Sequence, residues 1–126
     1  MQPVNLFELA SQQSRWLAAR QKVIANNVAN VNTPEFVPSQ IAAFKEALNQ
    51  NAGGLSLTHS THLEAIGNQN GYPSIERMHG SPSEPEPKVR LERELMDASG
   101  VRRSYELNTA IVKAFHRMTL MTTRPT

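Results

Sequence analysis

An amphipathic segment at each end of the chain, with a long polar stretch between them, is the feature that most constrains its fold. In the first segment an apolar residue recurs at every seventh position: Ala10, Leu17, Ile24 and Val31. A second line with the same spacing runs beside it: Leu9, Trp16 and Val23. A spacing of seven predicts a helix with a coiled-coil seam. The second line makes the apolar surface wide enough to meet a further element.

The sequence also predicts where this helix ends. Asn30 and Asn32 are poor helix formers, and Pro34 disfavours helical geometry in Thr33. We therefore assign residues 1–32 to an N-terminal coiled-coil helix.

A helical pattern returns at Val89 and continues to about Thr122. Its apolar positions are Leu91, Leu95, Ala98, Val101 and Tyr105 in the first half, and Leu107, Ile111, Ala114, Met118 and Met121 in the second. Gly100 interrupts the pattern and predicts a bend or a close helix contact, since glycine costs about 1 kcal/mol relative to alanine inside a helix. We assign residues 89–126 to a C-terminal coiled-coil helix. Because packing the two end helices together buries both seams, the sequence predicts a mainly α fold with two long terminal helices in a coiled-coil domain.

The middle of the chain has a different character. Residues 33–48 predict a turn and a short helix, because Ile41–Leu48 places its apolar residues on one face. Residues 49–88 hold five of the six glycines and four of the eight prolines, which is typical of a flexible linker or loop region. Leu55–Thr58 predicts a short strand within it, and Glu84–Pro87 an extended spacer.

Size and charge limit the possible functions. A chain of 126 residues forms one small domain, and much of its apolar content sits in the two end segments, so contacts with neighbouring molecules would add to its burial. The net charge is +2, which is far from the clustered basic character of a nucleic-acid-binding protein. Residues 1–32 sum to +2, residues 33–88 to −3 and residues 89–126 to +3, which favours contacts between segments of neighbouring subunits or ordinary solvated faces.

Motifs for chemistry are missing from the sequence. There is no cysteine, no glycine-rich phosphate loop and no Gly-x-Ser-x-Gly motif, and Asp97 is the one aspartate. His59 and His62 are two potential ligands without a third, so they do not predict a metal site. We predict neither an enzyme nor a cofactor. The start of the chain lacks the pattern of a secretory signal, and no segment is apolar enough for membrane insertion.

One stretch resembles a known family. The run from Ile24 to Pro34, IANNVANVNTP, closely resembles the N-terminal signature of the rod, hook and hook-associated proteins of the bacterial flagellum. Residues Leu6–Leu17 and Tyr105–Ile111 resemble the short proximal rod members of that family. The resemblance covers roughly residues 4–48 and 89–122. The sequence departs from the family at Glu35, where glycine is usual, and residues 49–88 match poorly.

The resemblance implies a structural subunit of the proximal rod, part of the drive shaft in the periplasm. It implies as partners other rod proteins and copies of the same chain, the inner-membrane ring and rod-adaptor proteins, and the flagellar export apparatus, which delivers the chain without a cleaved signal peptide. Subunit packing is expected at the following residues: Leu17, Ile24, Asn26, Asn27, Val28, Asn30, Val31, Thr33, Pro34, Leu107, Ile111, Ala114, Phe115 and Met118. We expect the seam residues before Pro34 to pack against those after Tyr105.

The asparagines near the end of the first helix have two interpretations. Asn26, Asn27 and Asn30 lie among apolar residues, so buried amides there would fix helix register and bond backbone groups of adjacent subunits. Alternatively, they end the helix with exposed amides. A small helical adaptor or export chaperone, or a helical nucleic-acid-binding protein, would use the same amphipathic ends, but neither explains the asparagine-rich signature.

Overall fold

The computed structural model describes residues 5–52, 75–78 and 88–123. Three helices and two short strands lie in them: α1 (Leu6–Ala29), β1 (Ser39–Ile41), α2 (Phe44–Ala52), β2 (Ile75–Arg77) and α3 (Leu91–Thr123). The long helices α1 and α3 pack against each other. The prediction of a mainly α fold with two long terminal helices is confirmed.

An asparagine stands at each end of α1. Asn5 Oδ1 accepts hydrogen bonds from the main-chain N–H groups of Phe7, at 3.2 Å, and Glu8, at 3.4 Å. These two groups have no partner inside the first turn, so the Asn5 side chain stabilises the start of the helix. At the other end Asn30 follows the last helical residue, and its Nδ2 donates to the Asn26 oxygen at 2.8 Å. The predicted end of the helix near Asn30 is confirmed.

α1 and α3 run antiparallel. The Phe7 ring at the start of α1 meets the Phe115 ring late in α3 edge-on, with centroids 5.3 Å apart. Asn27 at the end of α1 reaches Glu94 near the start of α3. Between these points the core is formed by three buried residues: Leu17, Ile24 and Val101. Each such side chain contributes about 1.5–3 kcal/mol on full burial.

The second apolar line of α1 packs against the chain that returns after the turn. Val23 is buried, and Trp16 Nε1 donates to the Ala42 oxygen at 2.8 Å. The Trp16 ring also lies 5.8 Å from that of Phe44, the first residue of α2. One side of α1 therefore meets α3 and another meets residues 42–44, which confirms the predicted width of its apolar surface.

The short strands correct part of the prediction for residues 33–48. β1 and β2 are antiparallel, with Ser39 opposite Arg77 and Ile41 opposite Ile75. The prediction that a helix begins at Ile41 is wrong, because pairing with β2 holds Ile41 extended and α2 begins three residues later. The predicted strand Leu55–Thr58 and the spacer Glu84–Pro87 lie outside the described residues.

Gly100 lies within α3, which continues through it without a break. A Cβ atom built on Gly100 would meet no atom within 4 Å among the described residues. The close helix contact expected at this position is therefore not made within the described chain.

Candidate functional site

The side chain of Asn27 joins three elements. Asn27 is 2% exposed. Its Nδ2 donates to the Ser39 oxygen at 2.9 Å and to Glu94 Oε1 at 3.1 Å, while its Oδ1 accepts from the Ser39 N–H at 3.0 Å. The amide therefore pairs with both main-chain groups of Ser39, as a neighbouring strand would, and also holds α3. One buried side chain fixes the relative positions of α1, β1 and α3.

The other two signature asparagines behave differently from Asn27. Asn26 is exposed. Asn30 Nδ2 donates to Asn26, and Asn30 Oδ1 accepts from Thr33 Oγ1 at 3.2 Å. These bonds are local to the end of α1 and the following turn. Each interpretation of the asparagines thus applies to different residues: Asn27 is buried and fixes register within the chain, whereas Asn26 and Asn30 lie where the helix ends.

The turn after α1 contains a residue in an unusual conformation. Glu35 has φ of 59°, in the left-handed region that glycine adopts without cost. The Phe36 N–H donates to the Thr33 oxygen at 3.4 Å, which closes a four-residue turn with Pro34 and Glu35 at its centre. Proline followed by a residue with positive φ is the order of a type II turn. A glycine at this position would adopt the same φ without the steric cost of a Cβ atom.

A line of residues seven apart on α3 faces α1: Glu94, Val101, Asn108 and Phe115. Asn108 is buried, and its Nδ2 donates to the Ala10 oxygen at 3.0 Å and to Ser14 Oγ at 2.8 Å. Two of the four positions are polar, so the contact between the helices combines apolar packing with directional hydrogen bonds.

This line corrects the predicted pairing of the helices. Leu17 and Ile24 are buried and Val28 is half-buried against them, but their partners on α3 are Val101 and Ala98. Val31 lies beyond the end of α1, in the turn. Of the predicted partners on α3, Phe115 contacts α1 through Phe7, while Leu107, Ile111, Ala114 and Met118 are exposed. The contact within the chain differs from the predicted pairing, because that pairing followed the most apolar line and the residues that meet α1 include two polar ones. Packing of the predicted residues between subunits stays a prediction.

We call the exposed apolar line of the second half of α3 the ridge; its residues are Leu107, Ile111, Ala114, Met118 and Met121. Leu107 is 63% exposed and Met121 62% exposed. All five are exposed in the structure. Exposed apolar patches of this kind mark surfaces where other molecules pack.

A second apolar surface, which we call the groove, lies between α1 and the first half of α3. Its cavity has a volume of about 590 Å³. Its floor is formed by Leu17 and Val101, and its walls by Ala18, Gln21, Ala98, Ser99, Arg102 and Tyr105. Leu91 and Leu95, which precede the groove residues on α3, are also exposed.

Ion pairs and a cation–π contact brace the helices. Arg20 of α1 lies 3.3 Å from Asp97 of α3, and its guanidinium lies 5.4 Å from the centre of the Trp16 ring. Arg102 pairs with Glu106 one turn later at 3.1 Å. This second pair joins opposite charges one turn apart on the exposed face of α3.

Some residues of the helix contact were missed by the sequence analysis. Glu94 and Asn108 each lie seven residues from Val101, one before it and one after it. A pattern of seven-residue spacing that admitted polar residues would therefore have included them. Ser39 and Ala42 contribute main-chain groups, for which no residue pattern could serve as a signal.

In the part of the chain that the structure describes, no group of three or more histidine or acidic residues is placed to hold a metal ion. Within the same part, none of the helices combines the length and hydropathy that crossing a bilayer requires.

Comparisons with known proteins converge on one family. Residues 16–36, from Trp16 to the end of the Glu35 turn, match the sequence model of the family described as flagella basal body rod protein. The chain is 36% identical over 129 aligned residues to the flagellar basal body rod protein FlgB of Agrobacterium fabrum, an alignment that covers 98% of this chain and 96% of that relative. It is 35% identical over 88 residues to the FlgB of Borrelia hermsii, covering 64% of this chain and 62% of the relative.

The match to the first relative extends over both helices of the pair and over the residues between them, so it is not confined to the signature stretch. On this identity and coverage, the chain belongs to the FlgB family of flagellar basal body rod proteins.

Proposed function

We propose that this chain is a structural subunit of the proximal rod of the flagellar basal body and that it transmits torque as part of the drive shaft. Membership of the FlgB family supports the location. The observation that carries the mechanism is the ridge, a line of exposed apolar side chains on α3 that is distinct from the line through Val101, Asn108 and Phe115 that meets α1. A protein that acts by assembly needs such a surface, and this function requires no catalytic residue.

The ridge supplies the adhesion between subunits in this proposal. A ridge residue such as Leu107 contributes about 1.5–3 kcal/mol when it passes from water to full burial. Several such contacts, repeated around a rod, give a stiff assembly from individually modest contributions.

Internal bracing supplies stiffness within each subunit. The Asn27 amide fixes α1, β1 and α3 to one another, and Trp16 fixes α1 to the start of α2. A torque applied to one helix is therefore passed to the others rather than absorbed by sliding. This supports a role for Asn27 in keeping the subunit rigid, while Asn26, Asn30, Thr33 and Pro34 present the turn to neighbouring subunits.

Family membership also supports the surroundings that we propose. The partners are other flagellar rod proteins and copies of this chain, with the inner-membrane ring and rod-adaptor proteins at the base. The flagellar export apparatus delivers the chain, without a cleaved signal peptide, to the periplasmic part of the basal body.

The ridge is tested by a pair of substitutions in α3. Leu107→Glu should abolish swimming and remove the chain from purified basal bodies, because a buried unpaired carboxylate is costly. The helix content of the purified variant should equal that of the parent, since the Leu107 side chain is 63% exposed. Lys113→Glu makes a larger change in charge off the ridge and should leave swimming intact. Normal motility of the Leu107→Glu strain would show that the ridge is not a packing surface.

A further inference from the structure

Arg20 lies on the border between the two apolar lines of α1. It follows Trp16 of the second line by four residues and precedes Ile24 of the first line by four. Four residues advance an α-helix by about 40° beyond a full turn. Arg20 therefore lies between the side of α1 that meets residues 42–44 and the side that meets α3. A long side chain at this position can reach both.

One guanidinium group makes contacts on both sides. Its central carbon lies 5.4 Å from the centre of the Trp16 ring, and its Nη2 donates to Asp97 Oδ1 at 3.3 Å. The cation–π contact and the ion pair therefore require the same position of the Arg20 side chain. Removing either partner leaves the side chain freer to turn towards solvent, which weakens the contact that remains.

The Trp16 ring is itself held by the chain at the start of α2. Its Nε1 donates to the Ala42 oxygen at 2.8 Å, and its centroid lies 5.8 Å from that of the Phe44 ring. Because these contacts set the orientation of the indole, they also set the face that it presents to Arg20. A continuous series of contacts thus runs from Phe44, through two side chains of α1, to α3.

The exposure of the ion pair limits its own contribution to stability. The side chains of Arg20 and Asp97 are 36% and 41% exposed, so water screens their attraction. The cation–π contact at such a site is similarly modest. The main consequence of the shared guanidinium is therefore that each of these contacts depends on the other.

We propose that Arg20 couples the packing of residues 42–44 against α1 to the pairing of α1 with α3. Displacing Phe44 from the Trp16 ring weakens the ion pair to Asp97, and breaking the ion pair weakens the contact of Arg20 with the ring. The coupling is reciprocal, as thermodynamic linkage requires. A change that moves the start of α2 away from α1 therefore loosens the helix pair at this point. Because the coupling is a property of the single chain, its test does not depend on the proposed function.

Proton NMR of the purified chain tests the coupling at Arg20. Protons above an aromatic ring are shielded by its ring current, so the side-chain protons of Arg20 should resonate upfield of ordinary arginine values; their loss in Arg20→Lys assigns them. Asp97→Ala and Phe44→Leu should each move these resonances towards the ordinary values. Glu106→Ala is the matched control, since it breaks the ion pair with Arg102 on the same helix and should leave them unchanged.

Urea unfolding followed by circular dichroism measures the same coupling as an equilibrium. In the double variant Asp97→Ala/Phe44→Leu, the reduction of the folding equilibrium constant should be about threefold smaller than the product of the two single reductions. Replacing Asp97→Ala by Glu106→Ala in the cycle should remove this difference, and so should Arg20→Gln in every member of the cycle.

Three results would overturn the coupling. The first is a parent chain whose Arg20 protons resonate at ordinary values. The second is a set of Arg20 resonances that respond to Asp97→Ala but not to Phe44→Leu, or the reverse. The third is a double variant whose loss equals the product of the single losses, or a threefold difference that persists in the Arg20→Gln background.

Discussion

Asn108 of α3 donates through Nδ2 to the main-chain oxygen of Ala10 in α1, with 3.0 Å between the two atoms. The same nitrogen lies 2.8 Å from Ser14 Oγ. A buried amide in the middle of a helix pair thus fixes which turn of α3 lies beside which turn of α1. An apolar residue at this position would pack but would accept several registers.

Replacing Asn108 tests this role. Asn108→Ala should lower the free energy of unfolding by about 1–3 kcal/mol, because Ser14 and the Ala10 carbonyl lose a buried partner. Thr109→Ala is the matched control, since Thr109 Oγ1 donates within its own helix, to the Tyr105 oxygen. Urea unfolding followed by Trp16 fluorescence measures both. Equal losses in the two variants would contradict a specific role for Asn108.

How α3 meets α1 shows the limit of prediction from apolar periodicity. Hydropathy identified both helices and the seam of α1, because Leu17 and Ile24 are at once apolar and buried. On α3 the same criterion selected Leu107 and Ile111, although the neighbouring Asn108 is the buried residue. Periodicity finds apolar surfaces but does not say whether a surface is used within the chain or between chains. A protein that acts only within an assembly has both a surface that packs within the chain and a surface that packs against other chains.

The signature stretch shows a second limit. The end of α1 was predictable, since asparagine and proline have local preferences that act without tertiary contacts. The bonds of Asn27 were not, because its partners are the main chain of Ser39 and the carboxylate of Glu94, far away in sequence. The extended conformation of Ile41 likewise depends on β2, more than thirty residues away.

Asn27 should be among the most sensitive polar positions of the chain. Asn27→Ala removes three hydrogen bonds from a buried site and should lower the free energy of unfolding by about 2–4 kcal/mol. Asn26→Ala changes an exposed neighbour and should have a small effect. Circular dichroism during urea unfolding compares the two variants. A loss at Asn26 as large as that at Asn27 would show that the Asn27 bonds do not hold the three elements together.

Glu35 offers a stabilising substitution. Because a non-glycine residue at positive φ costs about 1–2 kcal/mol, Glu35→Gly should raise the free energy of unfolding by about 0.5–1 kcal/mol after the added entropy of the unfolded chain is subtracted. Glu35→Ala keeps the Cβ atom and should show no such gain, which separates the backbone effect from loss of the carboxylate. Thermal unfolding measures the stability of both variants. A gain in stability in the alanine variant alone would contradict a backbone cost at residue 35.

Gly100 should also tolerate a side chain in the isolated molecule. Gly100→Ala should stabilise α3 by about 1 kcal/mol, since alanine is the better helix former and its Cβ would meet nothing within 4 Å. Urea unfolding of the purified variant measures the change. Destabilisation would show that residues near Gly100 approach more closely than the structure shows. Swimming of the same variant reports separately on whether a neighbouring subunit packs at this glycine.

The central claim is that this chain is a structural part of the rod. The most direct test is mass spectrometry of hook–basal bodies purified from the source bacterium and from a strain deleted for the chain. We predict that the chain is present in the parent particles and that the deletion strain assembles no rod. Intact rods in the deletion strain, or parent particles without the chain, would contradict the claim and favour a helical adaptor or export chaperone instead.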